Sequence, residues 1–174
     1  MNRRNWNFRR RPNRLLQPNG FTLMELLIVM SIIVVLTLLA IPSVSAYRKR
    51  VNKISALKSI QAIQQAESMY QQDYPALGFA CSLTALGGEQ SAGAPTPAAA
   101  QLLKSDLSSG FKDGYVFNIT NCTKPTSGGT DRITSYTITA VPQTVGKTGD
   151  LGFCADDFSI KSDPAGGTNC TQNQ

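Results

Sequence analysis

The side chains that usually carry out catalysis or bind metal ions are scarce in this sequence. The 174 residues include no histidine, and histidine is the commonest metal ligand and the usual general base of hydrolytic enzymes. The four cysteines are separated by 41, 32 and 16 residues and form no C-x-x-C pair of the kind that binds zinc. The sequence therefore predicts a protein that is not an enzyme and holds no zinc. The cysteines are Cys81, Cys122, Cys154 and Cys170.

These cysteines instead fit two disulfide bonds made in an oxidising compartment, with buried reduced thiols as the alternative. Their order along the chain permits three pairings. We favour Cys81 with Cys122, which would join the loop after a long helix to the end of the first strand. Cys154 with Cys170 would then fasten the C-terminal tail to the sheet. In a loop-entropy treatment these bonds would contribute about 4 and about 3 kcal/mol.

Four aspartates near the C-terminus are the remaining candidates for a metal site. Calcium takes several oxygen ligands from loops of this kind, but the spacing matches no EF-hand and aspartates are also common in turns. We therefore expect no cofactor, and calcium is the open alternative. The aspartates are Asp150, Asp156, Asp157 and Asp163.

The net charge of +6 comes from one end of the chain. Seventeen bases oppose eleven acids, but six arginines and no acid lie in the first twenty residues, which leaves eleven of each beyond them. These first twenty residues form a basic leader, and an arginine-rich arm of this kind can bind nucleic acid, but the rest of the chain carries no net charge. We infer no nucleic-acid partner. The six are Arg3, Arg4, Arg9, Arg10, Arg11 and Arg14.

An apolar segment follows this leader. Residues 26–41 are interrupted only by Ser31 and Thr37, and residues 21–24 extend the run. As a helix rising about 1.5 Å per residue, residues 21–41 would span about 31 Å, which matches the hydrocarbon thickness of a bilayer. The bias of positive charge towards the leader places the N-terminus in the cytoplasm. The C-terminal portion would then face the compartment where disulfides form.

Glu25 is the exception within this segment, because an unpaired carboxylate in hydrocarbon costs at least a few kcal/mol. It could lie near the cytoplasmic headgroups and simply be solvated. The surrounding residues indicate a more specific role, since the sequence that begins at Gly20, behind the basic leader, reads GFTLMELLIV. This sequence resembles the N-terminal signature of type IV pilins and of the related pseudopilins of type II secretion.

The resemblance implies a maturation pathway and a role for each matched residue. In that family a membrane peptidase cleaves after the glycine, here Gly20, and methylates the new terminal amine, here on Phe21. The glutamate five residues into the mature chain falls on Glu25 and is expected to act in assembly. A proline at the end of the apolar run falls on Pro42, where the family resemblance implies that the helix loosens on assembly. Neighbouring subunits would bury the helix in a filament core.

An ordinary secretory signal is a different interpretation of the same region. Val44-Ser45-Ala46 resembles the small-residue site at which such signals are cleaved, and cleavage there would release a soluble protein. The apolar region of such a signal usually has about seven to fifteen residues. The region here is longer and carries an acid near its start. We therefore favour the prepilin interpretation.

Beyond Pro42, the spacing of apolar residues predicts that the helix continues to about Asp73 and stops at Pro75. One face is expected to be apolar and the opposite face solvated. The predicted apolar face contains Val44, Tyr47, Val51, Ile54, Leu57, Ile60, Ile63, Ala66, Met69 and Tyr70. The predicted solvated face contains Arg48, Lys49, Arg50, Lys53, Lys58, Gln61, Gln64, Gln65 and Glu67.

The remaining residues predict a small head. Residues 78–110 have the Gly, Ala, Ser and Pro content of a loop, with a short helix over residues 98–106. Strands are predicted at 115–120, 133–141, 152–155 and 158–161, with turns at 127–129 and 146–149. A long helix packed on an antiparallel sheet of about four strands is an α+β arrangement, and it is also the layout of the pilin fold.

The predicted organisation has four parts. Residues 1–20 form a cleaved basic leader, residues 21–41 a transmembrane and filament-core helix, residues 42–74 its amphipathic continuation, and residues 75–174 a disulfide-bonded head. The corresponding function is a structural subunit, a major-type pilin of a type IV pilus. Its partners would be copies of itself, the prepilin peptidase and methylase, and the pilus assembly machinery. It would lie in the bacterial inner membrane as a precursor and then in an extracellular filament.

Two alternatives come from different classes. A major pseudopilin of a type II secretion system would carry the same N-terminal signature and act as a short piston. A secreted globular binding protein would have an ordinary signal peptide, and its mature form would lack the apolar segment.

Overall fold

The computed structural model describes residues 20–88, 93–125 and 131–173, apart from the side chains of residues 39–43. Residues 1–19 of the predicted leader, part of the predicted loop at 89–92 and the predicted turn at 127–129 lie outside the described residues. The chain divides into two compact units, Met1–Ala40 and Ile41–Gln174.

A single long helix, α1, runs Leu23–Asp73 and contains 51 residues. It begins two residues later than predicted, and Phe21 and Thr22 lie outside it. It ends where predicted, since Pro75 has no N–H to continue the hydrogen-bond ladder and disfavours a helical residue before it. Pro42 belongs to α1, but its side chain lies outside the described part. Among the described residues, no helix combines the length and the apolar character needed to cross a membrane.

The head contains two short helices, α2 (Leu83–Leu86) and α3 (Ser105–Ser108), and a six-stranded sheet. The strands pair antiparallel in sequential order, as expected for a meander. The prediction of a long helix followed by an antiparallel α+β head is confirmed, with two more strands than the four expected. The strands are β1 (Phe111–Lys112), β2 (Tyr115–Thr123), β3 (Ser135–Pro142), β4 (Gly152–Ala155), β5 (Ile160–Asp163) and β6 (Gln172–Asn173).

The core lies between one face of α1 and the sheet. Phe117 of β2 is opposite Ala140 of β3, which is opposite Phe153 of β4, and all three side chains are fully buried. The helix contributes Ile60 and Ile63, also fully buried, to the same cluster. At about 1.5 to 3 kcal/mol for each large buried apolar side chain, this layer is the main stabilising contact of the head.

The apolar face of α1 is not the single face that was predicted. Five of its members, namely Val44, Tyr47, Val51, Ile54 and Met69, are 44–68% exposed. The physical reason is the repeated step of three from Val51 onward, because each such step turns about 60° back around a helix of 3.6 residues per turn. Ile60 therefore lies about two and a half turns beyond Val51, on the opposite side of α1.

Two short elements also differ from the prediction. The helix predicted over residues 98–106 is wrong, and only its end overlaps α3. The N–H groups of Ala100, Leu102 and Leu103 instead donate to carbonyl groups of Ala85 and Leu86, so this segment is tied to α2 and cannot form its own helical ladder. Leu83–Leu86 was not predicted as a helix because four residues are too few to show a period.

The last predicted strand begins later than expected. Asp156 Oδ1 accepts the backbone N–H groups of both Phe158 and Ser159 at 2.8 Å, which forms a turn at the start of the predicted strand. Strand β5 therefore runs Ile160–Asp163, and Phe158 is 96% exposed.

Glu67 is the most consequential correction, because it was predicted to be solvated and is 0% exposed. Its Oε2 accepts the backbone N–H of Ala80 at 2.7 Å, while its Oε1 has no hydrogen-bond partner among the described residues. Burial raises the pKa of Glu67 to about 8, against the lowering effect of the Ala80 hydrogen bond, and the Asp157 charge raises it further. The carboxyl group is therefore largely protonated at neutral pH.

We expect this buried acid to make the stability of the head fall with rising pH. The folded state keeps a proton that the unfolded chain releases, so stability declines between pH 4.5 and about 8. At roughly 1.4 kcal/mol per pKa unit, the full loss is of the order of 5 kcal/mol. Glu67→Gln keeps an acceptor for the Ala80 N–H and cannot ionise. It should match the wild type at about pH 4 and exceed it by several kcal/mol at about pH 9.

The measurement is urea unfolding of the detergent-solubilised full chain across this pH range, followed by circular dichroism. Asp73→Asn removes an exposed acid from the same helix and serves as the matched control. Its free energy of unfolding should fall with pH as steeply as that of the wild type. Parallel stability curves for the wild type and Glu67→Gln would show that Glu67 does not carry this effect.

Candidate functional site

The predicted cleavage position is accessible. Gly20 and Phe21 are both exposed, and a Cβ built on Gly20 would meet no atom within 4 Å. Neither residue belongs to α1, which begins at Leu23. A peptidase can therefore reach the peptide bond between Gly20 and Phe21 without unfolding a described element.

The first turn of α1 is closed by a reciprocal pair of side chains, Thr22 and Glu25. The backbone N–H of Glu25 donates to Thr22 Oγ1 at 3.2 Å. In return, Glu25 Oε2 accepts the backbone N–H of Thr22 at 2.9 Å and its hydroxyl at 2.8 Å. This arrangement is a capping box, in which two backbone donors that have no partner within the helix are satisfied by side chains.

The capping box uses only one oxygen of the Glu25 carboxylate. Among the described residues, Oε1 of Glu25 accepts no hydrogen bond. The carboxylate is thus held in a fixed orientation at the start of the helix, with one oxygen available to an external donor. An acid at a helix N-terminus is also favoured by the partial positive charge there.

The helix that follows presents apolar side chains. From Phe21 to Leu38, the large apolar side chains are 48–85% exposed. The two hydroxyl groups in this stretch are satisfied within the helix, since Ser31 Oγ donates to Ile28 O at 2.7 Å and Thr37 Oγ1 to Val34 O at 2.8 Å. No polar group in residues 26–38 therefore requires water, and the stretch is suited to an apolar environment.

A second exposed apolar surface lies further along α1. Val44, Tyr47, Val51 and Ile54 are spaced by three, four and three residues, which places them on one side of the helix, and all four are exposed. We call these four residues the apolar stripe. Contiguous exposed apolar side chains of this kind mark interaction surfaces.

The structure joins Cys81 to Cys122 and Cys154 to Cys170, which is the pairing that the sequence favours. The first bond connects the segment after α1 to strand β2, and the second connects strand β4 to the segment before β6. The Cα atoms are 6.0 Å and 5.9 Å apart, within the usual range for a disulfide. Neither bond lies near Gly20 or Glu25 in sequence, so the cysteines stabilise the head and take no part in the processing site.

The four aspartates considered for calcium are used separately. Asp150 pairs with Lys49 at 3.0 Å, and Asp156 closes the turn before β5. Asp163 accepts the backbone N–H groups of Ala165 and Asn169 at 2.9 and 3.0 Å. Asp157 is exposed. In the part of the chain that the structure describes, no three or more acidic or cysteine side chains lie together in a way that could hold a metal ion.

The predicted site residues thus fall into separate places in the described chain. Gly20, Phe21 and Glu25 come together around the first turn of α1, while the disulfides belong to the head. Thr22 was not predicted to have a role. Its signal was present in the sequence, because a threonine three residues before a glutamate at the start of an apolar run is the signature of a capping box.

The N-terminal part of the chain matches a known protein family. A family described as the prokaryotic N-terminal methylation motif matches residues 17–41, which include Gly20, Phe21 and Glu25. Neither the curated proteins nor the solved structures provide a match. The chain therefore carries the prepilin signature that type IV pilins and pseudopilins share.

We expect loss of the Thr22 hydroxyl to loosen the first turn of α1. Thr22→Val removes the acceptor for the Glu25 N–H, and loss of an N-cap costs about 1 kcal/mol. Amide hydrogen exchange at Glu25 and Leu26, whose N–H groups donate to Thr22, should therefore accelerate about fivefold in the full chain in detergent micelles. Thr37→Val is the matched control, because its hydroxyl donates only to a carbonyl within the helix. Equal exchange in wild type and Thr22→Val would contradict the capping role.

Proposed function

We propose that this chain is the precursor of a major-type pilin, a structural subunit of a type IV pilus. It is cleaved after Gly20, methylated on the amine of Phe21 and polymerised through α1. It is a substrate of the processing enzyme and performs no catalysis itself. The observation that carries the proposal is the methylation motif at residues 17–41, placed at the start of a helix whose apolar side chains are exposed.

The length of the apolar segment supports a membrane-bound precursor. Residues 21–41 are sufficient for about 31 Å of helix, and the basic leader before them favours a cytoplasmic N-terminus. The two disulfides of the head are consistent with its export to an oxidising compartment. After extraction, the same apolar surface would be covered by the helices of neighbouring subunits.

Glu25 supplies the chemistry that selects a neighbour. Cleavage leaves an ammonium group on Phe21, and that group would be costly in hydrocarbon or in a filament core unless it met an anion. Glu25 Oε2 is occupied by Thr22, and Oε1 remains available. We propose that Oε1 accepts the Phe21 ammonium of an adjacent subunit, so that both charges are neutralised together.

We further propose that the subunit needs no cofactor. Asp150 and Asp156 are engaged in an ion pair and a turn, and Asp163 accepts two backbone N–H groups. These contacts give the aspartates a structural role that does not depend on calcium.

We expect removal of the Glu25 charge to block assembly without blocking processing. Glu25→Ala leaves Gly20 and Phe21 unchanged, so cleavage and methylation should proceed. The yield of sheared surface filaments should fall at least tenfold, since a loss of about 1.4 kcal/mol per subunit contact already changes an equilibrium tenfold. Immunoblots of the membrane and sheared fractions, in a host with the assembly machinery, measure both steps.

Glu25→Gln is the matched variant that separates charge from capping. Its amide oxygen can still accept the Thr22 N–H, but it cannot neutralise an ammonium group. We expect it to fail as Glu25→Ala does. Normal filaments from Glu25→Ala would refute the pairing, and normal filaments from Glu25→Gln alone would assign Glu25 to helix capping. Processed wild-type protein that forms no surface filament would instead identify a pseudopilin.

A further inference from the structure

A cavity of about 210 Å³ lies within the second unit of the chain, between α1 and the sheet. Lys49, Arg50 and Lys53 line it from the helix, while Tyr115 and Asp150 line it from the head. Three cations and one acid thus face a single small space. Such a concentration of positive charge favours the binding of an anion, because like charges held close together repel one another.

Only one of the three cations is neutralised within the described chain. Lys49 Nζ pairs with Asp150 Oδ1 at 3.0 Å. Arg50 and Lys53 form no ion pair with any described carboxylate. The walls of the cavity therefore carry two uncompensated positive charges, one of them a guanidinium whose paired N–H groups match phosphate oxygens.

The cavity is held in shape by contacts on both sides. Asn52 Nδ2 donates to Thr148 O at 2.8 Å, one helical position before Lys53. On the sheet side, the Tyr115 hydroxyl donates to Leu151 O at 3.0 Å. These bonds, together with the Lys49–Asp150 pair, fix the helix against the head, so little ordering is required when an anion enters.

The position of the bases along α1 indicates the source of the anion. Lys49, Arg50 and Lys53 follow Ile41, the last residue of the apolar segment, by 8, 9 and 12 residues, which is about 12 to 18 Å of helix. The headgroup layer extends about 5 to 8 Å beyond the hydrocarbon, so the Cα atoms of Lys49 and Arg50 lie roughly 4 to 9 Å outside that layer, and Lys53 lies further out. Helical side chains lean towards the N-terminus, here towards the apolar segment, and basic residues near a bilayer are attracted to anionic lipid.

We propose that this cavity binds the phosphate group of an anionic phospholipid of the outer leaflet. The bound lipid would hold the head against the bilayer until the subunit is extracted. This proposal rests on the membrane insertion of the apolar segment given under Proposed function.

The test measures lipid selectivity of the full chain reconstituted in phosphatidylcholine vesicles. Spin-labelled phosphatidylglycerol and spin-labelled phosphatidylcholine are added in separate samples at low mole fraction, and the motionally restricted fraction of each is compared. Wild-type protein should prefer phosphatidylglycerol, and Arg50→Gln/Lys53→Gln should lower that preference at least fivefold.

The matched control is Arg48→Gln/Lys58→Gln. It removes the same charge from exposed positions of the same helix that do not line the cavity, so it should retain the wild-type preference. Lys49 is left unchanged in both variants because it pairs with Asp150. Equal thermal unfolding of the two variants verifies that both retain the fold.

Three results would overturn the proposal. Equal loss of preference in both variants would mean a diffuse charge effect without a site. An absence of preference in the wild type, combined with loss of filaments in Arg50→Gln/Lys53→Gln, would mean that the cavity takes a carboxylate of a second copy. Failure of wild-type protein to restrict either lipid would refute membrane insertion itself, and with it the basis of this site.

Discussion

The structure depends on one constraint, which is that α1 carries more apolar surface than its own head covers. The side of the helix that includes Ile60 and Ile63 is buried in the core. The side chains from Phe21 to Leu38 and the apolar stripe are exposed. Since exposed apolar area costs roughly 25 cal/mol per Å² relative to burial, covering this surface would stabilise the protein. The proposed membrane storage followed by polymerisation would cover the same side chains in both states, first with lipid and then with neighbouring subunits.

The head is adapted to a helix that is buried on one side only. A meander with consecutive antiparallel pairings needs no long crossover, so about a hundred residues suffice to cover one face of α1. One disulfide ties the segment after α1 to β2, and the other ties β4 to the segment before β6. The burial of Glu67 beside Ala80 opposes these contributions at high pH, because its ionised form would be left with one oxygen unpaired. The cavity lined by Lys49, Arg50 and Lys53 also lies between α1 and the sheet.

Features with a strong local signal could be predicted from the sequence. The end of α1 follows from Pro75, and β4 was predicted with the bounds that the structure has. The processing residues followed from the sequence around Gly20, which the family comparison supports. The disulfide pairing followed from the expected order of the helix, the strands and the C-terminal tail.

The remaining features depend on tertiary contacts that no local pattern contains. Glu67 is buried because the segment after α1 returns across it and Ala80 donates to it, so its charge gave a misleading signal. Residues 100–103 bond to α2 instead of forming a helix. The division of α1 into buried and exposed sides differs from the prediction because successive steps of three rotate around a helix of 3.6 residues per turn. The capping role of Thr22 is an exception, because its signal is local and lies in the three-residue spacing to Glu25.

The central claim is that the mature chain begins at Phe21 with a methylated amine, and mass spectrometry of the N-terminal tryptic peptide tests it most directly. The peptide should come from the native cell envelope and from sheared surface fibres. The account predicts residues 21–48 with one additional methyl group in both fractions. A mature chain that begins at Tyr47 would make the protein a secreted soluble one, and an intact Met1 would make it a simple membrane anchor. Either result would contradict the assembly mechanism that depends on the Phe21 amine and Glu25.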